Sequence, residues 1–298
     1  MEHWIQWGLH PASTAAQQAA QFEASGWDGI MVFDSQSLLA DPYITLALAA
    51  ESTNTLGLGI GVSNTVTRHP AVTASAIMSL DEASQGRAVL GIGRGNSSLA
   101  YLGFGPIKLS NFERHVQPIR NYLGGEPIPI SEFADDLPEA TDNSSVETGT
   151  RVTHSRLEWV RSDGPRATLE VAASGPKVMG IGALLGDRVS ISVGAKPTML
   201  KWAADEVRRQ TPAGRPTPKL TAYDMTRHGD FSDQTEALSS DFVRNHAVTG
   251  SPNACIEKLR EIEALGYDRV VHLCPIRAKD QLPGILKALQ TEVLPAVR

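Results

Sequence analysis

The sequence predicts an α/β fold, a TIM (β/α)8 barrel with an irregular insertion after the fourth βα unit. Short apolar segments alternate with amphipathic helices, and eight strands can be counted, each followed by a helix. This alternation implies parallel strands joined by right-handed crossovers, and eight such units close into a barrel. An open, doubly wound sheet is the alternative. It is disfavoured because no Gly-x-Gly-x-x-Gly lies between the first strand and the first helix.

Four strand–helix units are predicted before the insertion. Thr14 is expected to cap the first helix with Gln17 as its capping-box partner, and Gly26 to end that helix. Pro42 and Pro70 each fit a first helical turn, where the amide hydrogen that proline lacks would be unpaired. The predicted strands cover 4–9, 29–33, 56–61 and 88–93, and the fourth helix covers 111–123.

Residues 126–166 interrupt this alternation, with little periodicity and many Pro, Ser, Thr, Asp and Asn residues. We interpret them as an insertion, with a hairpin at about 151–160. An irregular segment of this length in a compact domain is often functional. Strands are predicted again at 168–173, 188–193, 219–225 and 269–273, and helices begin at 174, 197, 233, 251 and 281. The whole chain, 1–298, is expected to form one barrel domain.

The composition excludes several classes of partner. The formal net charge is -6, whereas nucleic-acid binding requires a basic face. No stretch approaches the ~18 apolar residues of a membrane span, and the amino terminus lacks the pattern of a signal peptide. Cys255 and Cys274 form neither a disulfide framework nor a metal-binding spacing. We therefore expect a cytoplasmic protein without nucleic-acid or membrane partners.

The loops that follow the strands hold the candidate site, because parallel barrels bind ligands at the carboxyl ends of their strands. Glycine-rich loops follow the third and fourth strands, and they allow backbone amides to approach a planar or anionic ligand. The helix start at Ser174–Lys177 could bind phosphate or be an ordinary loop, and Arg68–Pro70 could be a polar latch. These loops are poor in metal ligands, so no metal is expected.

Two long segments carry a family resemblance. Residues 59–74 read GIGVSNTVTRHPAVTA and residues 80–97 read LDEASQGRAVLGIGRGNS, and shorter landmarks occur at 171–177 (VAASGPK) and 247–252 (AVTGSP). Together they resemble the bacterial-luciferase-like superfamily. Within it, the sequence is most similar to deazaflavin-using reductases of the methylenetetrahydromethanopterin reductase type. The resemblance covers most of the chain outside about 126–166.

This resemblance implies a TIM barrel that binds either coenzyme F420 or FMN, usually in a homodimer, and acts on a small organic substrate. The ring of the cofactor would pack on a bulge at the end of the third strand. The bulge would contain a non-proline cis peptide at Gly61–Val62, and the cofactor phosphate would lie on the amides of Ser174 and Gly175. The cofactor-binding residues are expected to be Asp34, Gly61, Val62, Ser63, Asn64, Gly93, Arg94, Gly95, Ala173, Ser174, Gly175, Val193 and Gly194.

The candidate catalytic residues are Ser35, Asn96 and His10. Related deazaflavin enzymes often carry Asp-His where this chain has Asp34-Ser35, and some carry an acid where it has Asn96. Neither a serine nor an amide shuttles protons at neutral pH. Hydride transfer itself needs only the donor and acceptor stacked at contact distance.

Three functions therefore stay open. The first is hydride transfer from reduced F420 to a small organic substrate. The second is an FMN-dependent monooxygenase that activates dioxygen. The third is a flavin- or deazaflavin-binding barrel without turnover.

Overall fold

Eight parallel strands form a closed barrel in the computed structural model, which describes residues 1–133, 153–224, 247–273 and 282–298. The barrel strands follow one another around the ring and are β1 (Glu2–Gln6), β2 (Gly29–Val32), β3 (Gly57–Asn64), β4 (Ala88–Gly93), β7 (Thr168–Ala173), β8 (Arg188–Ile191), β9 (Lys219–Asp224) and β10 (Arg269–Leu273). β10 pairs with β1 and closes the ring. The predicted TIM barrel is confirmed.

Helices surround the barrel. They are α1 (Ala15–Ala24), α2 (Pro42–Glu51), α3 (Pro70–Ala83), α4 (Ser97–Ala100), α5 (Leu109–Leu123), α6 (Pro176–Leu185), α7 (Pro197–Gln210), α8 (Pro252–Ala264) and α9 (Leu282–Ala288). The helix predicted from 233 lies outside the described residues. Within the described ranges, no helix combines the length and the apolar character needed to cross a membrane.

The two ends of the insertion pair with each other. β5 (Ile128–Pro129) is antiparallel to β6 (His154–Ser155), and the Tyr122 hydroxyl donates to Ser155 Oγ at 2.7 Å. The prediction of a local hairpin at 151–160 is wrong, because the partner of β6 comes from the segment directly after α5. Residues 134–152, between the two strands, lie outside the described part of the chain.

Helix starts match the sequence prediction at the prolines and at Thr14, which is the N-cap residue of α1, but the Thr14 side chain does not cap the helix. Pro42 and Pro70 each occupy the first turn of their helix. Thr14 Oγ1 donates to the Pro11 carbonyl and accepts from Gln18 Nε2. The predicted capping box with Gln17 is therefore wrong, because the threonine hydroxyl bonds to neighbours on either side of the helix start instead.

Glycines on the inner face of β3 make room for two large side chains from neighbouring strands. A Cβ atom on Gly57 would lie 2.3 Å from Trp4 Cζ2, and one on Gly59 would lie 2.2 Å from Met31 Sδ. Trp4 and Met31 are buried and fill the middle of the barrel. Side chains from β1 and β2 thus supply the packing that β3 omits.

An ion cluster fills the amino-terminal half of the barrel interior. Glu170 on β7 is fully buried, with Oε2 at 3.1 Å from Arg269 Nη1 and 3.6 Å from Arg188 Nε. Arg269 also pairs with Glu2, and its guanidinium lies 3.6 Å from the centre of the Trp4 ring. Buried charges persist only when paired in this way. The cluster closes this end of the barrel, so a ligand must enter from the other end.

Candidate functional site

A cavity of about 340 Å³ opens at the carboxyl ends of the strands. Its volume lies within the range of small-molecule sites. The walls come from six successive strands and the loops after them: β2, β3, β4, β7, β8 and β9. The lining residues are Phe33, Asp34, Ser35, Gly61, Val62, Gly93, Arg94, Gly95, Asn96, Ser97, Ser98, Ala172, Ala173, Ser174, Val178, Ser190, Ser192 and Tyr223.

The structure brings together most of the residues that the sequence placed in the site. The candidates that line the cavity are Ser35, Asn96, Asp34, Gly61, Val62, Gly93, Arg94, Gly95, Ala173 and Ser174. The candidates that are not part of this lining are His10, Ser63, Asn64, Gly175, Val193 and Gly194. His10 is exposed on the loop after β1, so its side chain does not share the cavity with Ser35 and Asn96.

The end of β3 forms the predicted bulge. Its register with β4 shifts between Ile60 and Ser63, and the Gly61–Val62 peptide is cis, which confirms the implied bond. Gln6 on β1 donates its Nε2 hydrogen to the Gly61 carbonyl. This contact fixes the orientation of the bulge from inside the barrel.

Glycines opposite the bulge receive the Val62 side chain. A Cβ atom on Gly93 would lie 2.9 Å from Val62 Cγ2, and one on Gly91 would lie 2.3 Å from the Ile60 carbonyl oxygen. β4 therefore has no side chain at the two positions where β3 approaches it most closely. The bulge can lie flat against β4 and present its backbone to the cavity.

Asp34 connects the loop after β2 to the loop after β3. Its Oδ2 accepts from Ser63 Oγ at 2.5 Å and lies 3.9 Å from Arg68 Nε. Burial raises the pKa of Asp34 above its usual value, and Ser63 and Arg68 oppose that rise. Arg68 also pairs with Asp41 at 2.5 Å, so it joins the two loops as the predicted polar latch would.

Asn64 holds the loop after β3 and does not face the cavity. Its Oδ1 accepts from the amides of Val66 and Thr67 at 2.9 and 3.0 Å. Its Nδ2 donates to Ser98 Oγ at 3.2 Å, which ties this loop to α4. This is an Asx turn, and it uses the donor and acceptor groups of the side chain to position both loops.

The loop after β4 is held from outside the barrel. Arg94 Nε donates to the Ile107 carbonyl at 2.8 Å, and the Ile107 amide donates back to the Arg94 carbonyl at 3.0 Å. Gly95 has a φ of +74°, and a Cβ atom there would lie 2.8 Å from Leu99 Cδ1. Asn96, at the start of α4, is exposed at the mouth of the cavity.

The amino terminus of α6 lies at the opposite wall. Gly175 precedes the helix, Pro176 begins it, and no side chain caps it. Ser174 and Val178 line the cavity on either side of this terminus. The first-turn amides of a helix carry partial positive charge and bind anions when no side chain caps them.

Three buried hydroxyl groups on the cavity wall have no hydrogen-bond partner among the described residues. They are Ser35 Oγ, Ser190 Oγ and Tyr223 Oη. Tyr223 Oη would lie 2.7 Å from a Cβ atom on Gly61, directly beside the bulge. Sequence analysis missed Ser190, although the alternation of side chains along β8 puts Ser190 on the same face of the strand as Arg188. Buried hydroxyls are rarely left unpaired, so these mark polar positions for a ligand.

The described residues fit a flat ring with an anionic tail. The bulge presents backbone without a side chain at Gly61, the unpaired Tyr223 hydroxyl lies beside it, and the α6 terminus offers amides to a phosphate. In this part of the chain, no group of three or more His, Cys, Asp or Glu side chains is placed to bind a metal ion.

A family model described as luciferase-like monooxygenase matches residues 4–223. The 5,10-methylenetetrahydromethanopterin reductase of Methanolobus tindarius is 27% identical over 254 residues, which cover 83% of this chain and 71% of that protein.

Solved structures share the fold. The coenzyme F420-dependent tetrahydromethanopterin reductase of Methanopyrus kandleri has a TM-score of 0.76 at 19% identity, covering 100% of this chain and 99% of that one. The 3,6-diketocamphane monooxygenase of Pseudomonas putida, solved with FMN, has a TM-score of 0.69 at 16% identity, covering 100% and 99%. The family-model match spans well over half of the sequence, and the chain therefore belongs to the luciferase-like monooxygenase family.

Proposed function

We propose that this protein is an oxidoreductase that uses reduced coenzyme F420 to deliver hydride to a small organic substrate. The observation that carries the proposal is the cavity itself, whose bulged β3 exit, unpaired hydroxyls and uncapped α6 terminus suit a tricyclic ring with a phosphate-bearing tail. The sequence relative from Methanolobus tindarius is a reductase, and the reductase from Methanopyrus kandleri is F420-dependent. The description of the second protein favours F420 over FMN.

Different residues of this chain would bind different parts of the cofactor. Gly61 and Val62 would support one face of the ring, and the amides at Ser174 and Gly175 would bind the phosphate. When bound, reduced F420 supplies the hydride. The remaining candidates, such as Asp34 and Ser63, would act indirectly by holding the loops that shape the cavity.

Asp34 is the only carboxyl group among the described residues that line the cavity, and Ser63 and Arg68 already engage it. Ser35 can donate one hydrogen bond, and Asn96 at the mouth can orient a substrate oxygen or nitrogen. The proton that accompanies hydride addition would come from water at the open mouth. His10 stays a prediction from the sequence, since its exposed ring lies away from the cavity lining.

An FMN-dependent monooxygenase is the second candidate. It is favoured by the shared fold of an FMN-bound monooxygenase and by the description of the matching family model. A barrel without turnover is the third, because Ser35 and Asn96 are poor proton carriers.

Spectral titration of the purified protein with F420 and with FMN tests the proposal. We expect saturable changes in absorbance with F420 at lower concentration than with FMN. Oxidation of reduced F420 should then depend on a carbonyl or imine substrate and proceed without dioxygen. Tighter FMN binding with dioxygen-dependent turnover would establish the second candidate, and binding of either cofactor without turnover would establish the third. If neither cofactor binds, all three are wrong.

We also propose a homodimer that forms through α2 and α3. Ile44 and Leu48 on α2 are 60% and 41% exposed, and Val72 on α3 is 53% exposed. These helices pack side by side, and both carry exposed apolar side chains. Apolar surface of this kind often marks protein–protein contacts.

A further inference from the structure

Two of the unpaired hydroxyl groups that line the cavity lie on neighbouring strands. Ser190 on β8 pairs in register with Thr221 on β9, and Tyr223 follows two residues later on the same inner face. The hydroxyls of Ser190 and Tyr223 both line the cavity, and both are buried without a hydrogen-bond partner among the described residues. Ser35, the third unpaired hydroxyl, follows β2 on the opposite side of the barrel.

Tyr223 is positioned to donate a hydrogen bond into the cavity. Burial, reinforced by the negative charge of Glu170, holds the pKa of Tyr223 well above the ordinary tyrosine value, so its hydroxyl stays protonated at neutral pH. The Glu170 carboxylate does not use this hydrogen, since no direct bond joins the two groups. The donor therefore remains available beside Gly61.

We propose that Tyr223 and Ser190 bind the carbonyl edge of the cofactor ring. This inference rests on the proposed function, which places the ring on the bulge at Gly61. Both candidate cofactors carry carbonyl oxygens at the pyrimidine end of the tricycle, and these are hydrogen-bond acceptors. Tyr223 Oη lies beside the bulge at Gly61, and Ser190 supplies a second buried donor on the neighbouring strand, so leaving these donors unpaired would cost affinity.

This pair also sets the orientation of the ring. With its carbonyl edge against β8 and β9, the ring would extend across the cavity towards the loop after β4, where Asn96 is exposed. Tyr223 and Ser190 act as binding residues for the ring. Their contribution appears in the affinity and absorbance of the bound cofactor before any turnover.

The test is spectral titration of Tyr223→Phe and Ser190→Ala with oxidised F420 and FMN. Each variant removes one hydroxyl and keeps the shape of the side chain nearly unchanged. We expect each to weaken binding about tenfold, the effect of one buried hydrogen bond, and to change the absorption spectrum of the bound ring. Tyr267→Phe is the matched control, since it removes a hydroxyl that donates to the Leu200 carbonyl at 2.9 Å, away from the cavity.

The outcomes separate the inference from the proposed function. If the wild type binds neither cofactor, the proposed function is wrong and the inference fails with it. If the wild type binds and both variants bind equally well with unchanged spectra, the inference alone is wrong. Should Tyr223→Phe fail to fold, as judged by thermal unfolding, Ser190→Ala decides the question by the same readouts.

Discussion

Lowering the pH should destabilise the protein through a buried histidine pair between β1 and β10. His3 Nδ1 lies 3.1 Å from His272 Nε2, with the rings stacked at 5.4 Å between centroids. Burial is the main cause that lowers the pKa of His3 to about 3, and His272, the amino terminus and Arg298 add to it. The folded protein therefore keeps His3 neutral where the unfolded chain, with a pKa of 6.5, takes up a proton.

The direction and size of the effect follow from this difference. The folded-state pKa is depressed, so the stabilising contribution is present above pH 6.5 and is lost as the pH falls towards 3. Each pH unit below 6.5 favours the unfolded chain by about 1.4 kcal/mol. At pH 5 the free energy of unfolding should be about 2 kcal/mol lower than at pH 8 from this residue alone.

Urea unfolding of the wild type and of His3→Phe at pH 8, 6.5 and 5 measures this contribution. The variant keeps a stacked ring on His272 but cannot titrate. Its free energy of unfolding should fall by about 2 kcal/mol less than that of the wild type between pH 8 and 5. His154→Phe, at an exposed position on β6, is the matched control. Equal pH dependence in the wild type and His3→Phe would refute the reasoning.

Three further substitutions test the site and the surface. Gly61→Val places its Cβ 2.7 Å from Tyr223 Oη and 3.0 Å from Met31 Cβ. We therefore expect it to abolish cofactor binding in a spectral titration and to lower the free energy of unfolding by about 1–3 kcal/mol. Unchanged affinity would show that no ring lies on the bulge. Gln6→Leu removes the donor to the Gly61 carbonyl. It should weaken cofactor binding several-fold and lower the free energy of unfolding in urea by about 1 kcal/mol. The same affinity as wild type would show that Gln6 does not position the bulge for the cofactor. Ile44→Lys puts a charge into the exposed apolar patch of α2 and should yield a monomer in light scattering, whereas a persistent dimer would place the interface elsewhere.

The sequence determined the barrel well because each strand–helix unit is a local pattern. Pro42 and Pro70 marked helix starts correctly, whereas the position of the bulge at Gly61–Val62 came from the family resemblance. The partner of β6 could not be predicted, since it lies beyond an irregular segment and the pairing has no local signal.

The candidate site shows the same division between local and non-local information. Most of the predicted loop and strand-end residues line the cavity, but Ser63 and Asn64 do not. Ser63 and Asn64 bond to Asp34 and to the loop backbone, contacts that depend on how three loops fold together. Ser190 was missed because the candidates came only from strand ends and the loops after them, whereas Ser190 lies within β8.

Because the inner face of β3 carries glycines, β3 does not itself set the depth of the cavity beneath the bulge. Trp4 and Met31, anchored on β1 and β2, occupy the space that side chains of β3 would otherwise fill. Shortening Met31 would therefore hollow out the chamber beneath the bulge without altering any residue of the bulge. A barrel arranged in this way can acquire room for bulkier substrates through changes on strands that never touch the reacting atoms.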